Sequence, residues 1–424
     1  MKTSSKHSLP GPDDINRVKT TNGITILGRS NFNSPSVVIS GYLPAGSLFD
    51  TDELQGLANF TAMMLMRGSL TRDFQGVHNA LESSGANLGI SSGTHTASFS
   101  GRCLAEDLPL LLDLLSEGLR QPSFEPDQVE KLRAQFLTGL SIRAQDTGEM
   151  ASLTFDQILF AGHPYSRPED GFPETIQSIT RQDLLDFHRS HYGPKGMVIS
   201  IVGSIDPDVA VTQVQRVLGD WDNPAQIDAP ALPAYIPLKK SKTKRVHIPG
   251  KSQSDLVIGS AGPKRLDPEF LPASLGNSVL GQFGMMGRIG NIVREKSGLA
   301  YYAYSSLSAG TGPGSWEVSA GVNPSNVNKA IELIKAEISR FVINGVAPEE
   351  LADSQANFIG RLPLSLESNA GVAGALINIE RYDLGLDYYL RYPDLVRQVT
   401  PADVLSAVQK HLDPDILAIA IAGP

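Results

Sequence analysis

The sequence predicts an α+β protein made of two homologous sandwich halves, and three observations carry that prediction. A block near the middle of the chain recurs at its C-terminus without a gap. Strand-like and helix-like segments follow one another in unequal runs, unlike the strict alternation of a doubly wound parallel sheet. A Pro- and Ala-rich stretch separates the two copies.

The repeat is the clearest of the three. SITRQDLLDFHRSHYGPKGMVISIVGS, from Ser178, aligns with QVTPADVLSAVQKHLDPDILAIAIAGP, from Gln398. Thr180 recurs as Thr400, Asp183 as Asp403, Leu185 as Leu405, His191 as His411, Pro194 as Pro414, Ile199 as Ile419, Ile201 as Ile421 and Gly203 as Gly423. A second pair, EPDQVEKLRAQF from Glu125 and APEELADSQANF from Ala347, keeps nearly the same offset and the same order. A duplicated domain explains both, with halves at 1–225 and 246–424. The segment between, 226–245, is rich in Pro and Ala and then basic, lacks a helical apolar period, and reads as a linker. Its KKSKTKR run has the charge to meet a polyanion, but no aromatic residue is interleaved with it, and a solvated linker is the preferred reading.

Within the repeat, Thr180 stands as an N-cap before an amphipathic helix with Leu184, Leu185 and Phe187 on its apolar side. Pro194 and Gly196 then punctuate, and MVISIVG reads as a buried strand. Upstream, the Ser/Thr/Gly-rich NLGISSGTHTASFSG suits a strand with one exposed face, and LPLLLDLLSEGLR suits a helix with a broad apolar face.

Composition excludes several classes of function. At 424 residues the chain is too long for one ordinary domain, and 41% hydrophobic with 19% charged residues is not the composition of a disordered chain. A net charge of −9 argues against a broad nucleic-acid surface. No apolar run reaches the roughly 18–20 residues of a membrane span, and MKTSSKHSLPGPDD lacks the apolar stretch of a secretion signal. A cytoplasmic location is therefore expected, or a periplasmic one if the sequence is a trimmed mature form. The single cysteine, Cys103, excludes an intrachain disulfide and a cysteine-built metal cluster.

Local motifs yield no catalytic site. GISSG at 89–93 matches a nucleophile-elbow pattern, but that motif needs a strand, a tight turn and a helix, and here more strand-like sequence follows. GQFGMMG at 281–287 follows a helix-like segment, so a dinucleotide loop is not expected. None of the eight histidines forms an H-x-x-x-H pair. His188 and His191 are three apart, flanked by Phe187 and Tyr192, and suit packing or capping better than metal binding.

Taken together and in order, the segments resemble a known family, the zinc peptidases of the pitrilysin, insulysin and mitochondrial-processing-peptidase type. The resemblance rests on GLANFTAMMLMRGS, SSGANLGISSGTHTASF, FEPDQVEKLRAQF, HPYSRP and the Ile179 run in the first half. In the second half it rests on LGQFGMMGRIGNIVREKSGLAYYAYS and GTGPGSWEVSAGV. It implies two sandwich halves of the mitochondrial-processing-peptidase type. It also implies an inverted zinc motif, H-x-x-E-H, with a distal glutamate. In register, the two histidines fall on Asn59 and Met63, the general base on Ala62 and the distal ligand on Gly139. None of these side chains supplies a deprotonated donor or a base, so no zinc and no catalytic residue is expected in this chain. The family's substrate-backbone contacts, an arginine and a tyrosine seven residues later, fall on Arg294 and Tyr301.

Loss of one set with retention of the other resembles the non-catalytic subunit of a heteromeric zinc metallopeptidase. The expected partner is a homologous H-x-x-E-H subunit that carries the zinc and cleaves peptides, in a chamber that both chains enclose. A peptide- or protein-binding scaffold without a proteolytic role is the alternative.

Overall fold

The computed structural model describes residues 9–424. The chain forms two compact units. The first contains six strands: β1 (Asn16–Lys19), β2 (Thr25–Ser30), β3 (Ser36–Leu43), β4 (Asn87–Ser92), β5 (Ala97–Leu104) and β6 (Val198–Gly203). They are ordered β1-β2-β6-β3-β5-β4. The second contains β7 (Lys242–His247), β8 (Ser254–Ala261), β9 (Ala300–Leu307), β10 (Ser315–Val322) and β11 (Ala418–Gly423). They are ordered β7-β11-β8-β10-β9.

The duplication is visible in the topology. Apart from β1, the orders β2-β6-β3-β5-β4 and β7-β11-β8-β10-β9 correspond strand for strand. In each sheet the first of these pairs is parallel and the remaining pairs are antiparallel. The repeated Thr and Asp form a capping box in both copies. Thr180 N donates to Asp183 Oδ2 at 2.7 Å and Thr400 N to Asp403 Oδ2 at 2.8 Å, while the Asp183 and Asp403 amides return bonds to the Thr hydroxyls at 3.2 Å. Helices Arg181–His191 and Pro401–His411 follow, and each leads into a fully buried strand, β6 or β11.

The units are not contiguous halves. Among the described residues the first comprises 9–140, 168–231 and 362–391, and the second comprises 141–167, 232–361 and 392–424. Helix Thr147–Leu159 packs Ala151, Phe155, Ile158 and Leu159 against Val257, Ala418, Ala420 and Ala422 of the second sheet. Its counterpart by position, helix Asn369–Arg381, belongs to the first unit, where Ser200 Oγ of β6 donates to Ala373 O at 3.1 Å. A single cut between 225 and 246 therefore does not separate the compact units, because each sheet is covered by a helix from the other half of the sequence.

Two further expectations need correction. The last residues of the 226–245 linker are not linker: Lys242–His247 is β7, paired in parallel with β11, since Lys and Arg side chains are tolerated at an exposed sheet edge. NLGISSGTHTASFSG is not one strand but the hairpin β4–β5, because Thr94 and His95 form a turn closed by Gly93 N donating to Thr96 O at 2.9 Å. The predicted helix LPLLLDLLSEGLR is present as Leu108–Arg120, with Leu111, Leu112, Leu114, Leu115 and Leu119 in the first unit's core. The second unit's core lies under the opposite face of its sheet, around Trp316 and Phe341 in edge contact at 6.5 Å. Among the described residues no helix is long and apolar enough to cross a membrane.

Candidate functional site

The segment on which the resemblance places the zinc motif is a well-formed helix, Leu57–Met64. The buried Asp50 carboxylate caps its N-terminus, accepting from Gly56 N at 2.9 Å and Ala58 N at 3.0 Å. It is tied to helix Pro126–Arg143 through Phe60 and Phe136, with ring centroids 5.2 Å apart. The Arg133 guanidinium lies 5.4 Å from the Phe60 ring and also bonds Ile176 O. The two helices that carry the motif positions are thus held together by aromatic packing.

The positions themselves offer no donor set. The half-buried Asn59 accepts from Ser92 N of β4 at the long distance of 3.5 Å. Ala62 is fully buried in the core, Met63 is 40% exposed, and Gly139 is exposed with open space where a Cβ would stand. A neutral amide, a methyl, a thioether and a glycine do not fit a zinc ion, which takes thiolate, imidazole or carboxylate ligands. Among the described residues no group of three His, Cys, Asp or Glu side chains is placed to hold a metal ion.

Arg294 and Tyr301, in the second unit, both stand on irregular backbone. Arg294 lies in a π-helical turn, Asn291–Lys296. That turn closes with Gly298 N donating to Arg294 O at 2.9 Å and Leu299 N to Val293 O at 3.1 Å, a nested pair of bonds each one residue wider than in the usual glycine-ended α-helix. Gly298 supplies the left-handed conformation, φ 60°. β9 begins two residues later. Its pairing with β10 slips between Gly321, opposite Tyr302, and Val322, opposite Ala300, so Tyr301 is the extra residue of a β-bulge. β9 is the edge strand of its sheet, and Tyr301 is 72% exposed. The Arg294 side chain is partly exposed, with Glu295 Oε1 3.7 Å from its Nε. The seven-residue interval therefore consists of the end of a π turn, a glycine-closed cap and a bulge. Both long polar side chains are left available. Arg presents a planar fork of donors and Tyr a single hydroxyl donor, the equipment to hold a peptide carbonyl.

The bulge is fixed from its other side. Tyr302 Oη donates to Asp255 Oδ1 at 2.6 Å, Gln253 Nε2 donates to the same oxygen at 2.8 Å, and Thr147 Oγ1 donates to Asp255 Oδ2. Asp255 is buried and has all three donors. Burial and the adjacent Asp255 carboxylate push the Tyr302 phenol well above its usual range, so it stays a donor.

The remaining singled-out residues are structural. GISSG lies in β4 and the turn after it, with no helix following. His188 Nε2 bonds Leu119 O at 2.9 Å. His191 stacks on Phe49 at 3.9 Å, and burial pushes its imidazole down to about 4. HPYSRP and GTGPG meet: Gly312 N donates to Tyr165 Oη at 3.0 Å. One further pair left no signal in the sequence. Asp156 and Glu317 are both half-buried in the second unit. Burial, reinforced by the Glu317 charge, raises Asp156 to about 7, and burial raises Glu317 as well.

Comparison with known proteins agrees with this architecture. Residues 25–157 match the family described as Insulinase (Peptidase family M16), and residues 178–358 match Peptidase M16 inactive domain. The chain belongs to peptidase family M16. It is 25% identical over 424 residues to an uncharacterized zinc protease of Streptomyces coelicolor, covering 98% of this chain and 90% of that one. It is 23% identical to an uncharacterized zinc protease of Bacillus subtilis, covering 84% of this chain and 85% of that one. The crystal structure of a peptidase M16 inactive domain from Pseudomonas fluorescens superposes with a TM-score of 0.89 at 27% identity, covering 97% of this chain and 98% of that chain. A protease from Helicobacter pylori superposes with a TM-score of 0.88 at 17% identity, covering 98% of this chain, a likeness of fold.

Proposed function

We propose that this chain is the non-catalytic subunit of a heteromeric zinc metallopeptidase. In this reading it helps to enclose the chamber in which a homologous, zinc-bearing partner cleaves peptides, and it contributes Arg294 and Tyr301 as substrate-backbone contacts. The observation that carries the reading is the contrast between its two units. Every position of the metal motif, Asn59, Ala62, Met63 and Gly139, has lost its chemistry. Arg294 and Tyr301 keep theirs, on a π turn and a bulge that present them. Irregular backbone of both kinds is enriched next to functional sites. Zinc and the activated water belong to the partner, and the two side chains here hold the carbonyl of the bond to be cleaved.

The test begins with co-purification of the tagged chain from native lysate, followed by identification of a stoichiometric homologue with H-x-x-E-H. Cleavage of a quenched fluorescent peptide is then compared for the complex carrying wild type, Arg294→Ala or Tyr301→Phe. Recovery of such a homologue and impaired cleavage by both variants support the reading. A complex that assembles and cleaves equally well with both variants reduces the chain to a peptide- or protein-binding scaffold.

A further inference from the structure

The chain has 36 Lys and Arg against 45 Asp and Glu. Five of those cations, Lys239, Lys240, Lys242, Lys244 and Arg245, fall within seven residues. Three of them stand on β7, the outermost strand of its sheet, which among the described residues pairs only with β11. All five are exposed, and among the described residues none of them forms an ion pair. Lys244 Nζ bonds only the neutral Gln157 Oε1, at 3.1 Å. Concentrated, unpaired positive charge in an otherwise acidic chain carries a repulsive cost that an anionic counterpart removes.

The backbone of β7 adds direction to that charge. Lys242 N donates to Leu417 O at 3.0 Å and Ile248 N to Gly423 O at 2.7 Å, so the even-numbered residues face β11. By strand alternation, the N–H and C=O groups of Thr243, Arg245 and His247 point to the open edge. Lys242 and Lys244 share one face with Val246, and Arg245 stands on the other. Isolated edge lysines are a common guard against unwanted pairing. Here the charge is a cluster flanking an ordered row of free donors and acceptors. We propose that β7 is a docking edge for an extended acidic segment of a partner protein. The segment adds as a further strand, with carboxylates on both of its faces to meet Lys242, Lys244 and Arg245. A nucleic acid fits less well. No aromatic ring is interleaved from Lys239 to Val246 for base stacking, and a phosphodiester backbone cannot complement a row of amide donors and carbonyl acceptors. The proposal is independent of Arg294 and Tyr301.

The test is fluorescence anisotropy with a fluorescein-labelled ten-residue peptide of repeating Glu-Glu-Val-Val, which places carboxylates on both faces of an extended strand, titrated with the full chain. Binding is expected to weaken with added salt. It is also expected to fall by about tenfold or more in the Lys242→Gln, Lys244→Gln, Arg245→Gln triple variant. Two changes probe strand addition with the charge unaltered. Thr243→Pro removes one outward N–H without touching the ladder to β11, and N-methylation of four successive central residues of the peptide blocks its own edge without altering the protein. Both are expected to weaken binding severalfold. Equal binding of the N-methylated peptide, tighter binding of a single-stranded oligonucleotide of matched charge, or no effect of the triple variant would each overturn the proposal.

Discussion

The Tyr302 hydroxyl donates to the buried Asp255 carboxylate at 2.6 Å, and this bond anchors the strand at the residue beside the bulged Tyr301. Gly321, opposite Tyr302, makes room for it. A Cβ there would lie 2.5 Å from Tyr302 Cε1 and 2.6 Å from Gln253 Nε2. Gly321→Ala is expected to cost about 1–3 kcal/mol through overpacking. Tyr302→Phe, which takes one donor from Asp255, is expected to cost about 1–2 kcal/mol. Denaturant titration of each variant checks both values, and a Tyr302→Phe curve that overlays wild type would show that the bond adds nothing.

Arg294→Ala and Tyr301→Phe should separate stability from function. Tyr301 is 72% exposed, and loss of its hydroxyl is expected to change stability by less than about 0.5 kcal/mol. If these donors meet an oxyanion, cleavage by the assembled complex should fall by roughly 10²–10³ for each. A fall in kcat places the contact in the transition state, and a rise in KM alone places it in ground-state binding. Arg294→Lys should rescue only partly, because an ammonium lacks the planar fork.

Restoring the metal motif is expected to meet a steric and dielectric obstacle at one position. Gly139 is exposed and open, and Met63 is partly exposed, so Gly139→Glu and Met63→His both have room for the new side chain. Ala62 is fully buried, and Ala62→Glu would put a carboxylate into packed core, at a cost of a few kcal/mol. The quadruple variant Asn59→His, Ala62→Glu, Met63→His, Gly139→Glu should therefore melt below wild type without zinc. Isothermal titration with zinc measures what affinity it recovers. A quadruple variant as stable as wild type would show that position 62 opens readily.

Acid should destabilise the chain through His191. Its folded value, about 4, lies below the ordinary histidine value of 6.5 because burial disfavours the imidazolium. Between those values the unfolded chain binds a proton that the folded chain refuses, so stability rises with pH across the window and is lost as pH falls from 6.5 toward 4. His191→Phe should remove that part of the slope, on the order of 1 kcal/mol once partial solvent exposure is allowed for. Melting curves at pH 4.5 and 7.5 check it, and parallel pH profiles for variant and wild type would exclude the residue as the source.

Asp156 should act with the opposite sign. Its carboxyl, raised from 3.8 to about 7, keeps its proton in the folded state over a range where the unfolded chain has released it. Stability from this group is present below 3.8 and is lost as pH rises toward 7. Asp156→Asn should therefore gain about 1–3 kcal/mol relative to wild type at pH 8 and little at pH 4. Equal differences at the two pH values would contradict the raised value.

Features set by short-range chemistry were legible in the sequence. The Thr180–Asp183 and Thr400–Asp403 capping boxes, the strands ending at Gly203 and Gly423 and the helix from Leu108 all follow from local spacing and periodicity. Features that depend on pairing between distant segments were not. The bulge at Tyr301 arises only from the register of β9 against β10. The strand character of Lys242–His247 depends on β11, whose paired residues lie 176 positions further on (Lys242 opposite Ala418), and its polar composition reads as loop until that partner is known. The Asp156–Glu317 pair joins residues whose isolated neighbourhoods say nothing of burial. That Asn59, Ala62, Met63 and Gly139 carry no metal-binding side chain could be read directly. That Ala62 is sealed in the core while Gly139 is open could not, because burial belongs to the packed helix and not to the motif.

The exchange of helices Thr147–Leu159 and Asn369–Arg381 has a consequence for how the chain can be taken apart. A protease that nicks the segment around 226–238 would not release two self-sufficient domains. Each product would lack the amphipathic cover of its own sheet and carry the other's, so the pieces should remain associated after cleavage and separate only on denaturation. Expressed apart, 1–231 and 232–424 should each be poorly soluble, and mixed on refolding they should restore one another as complementing fragments.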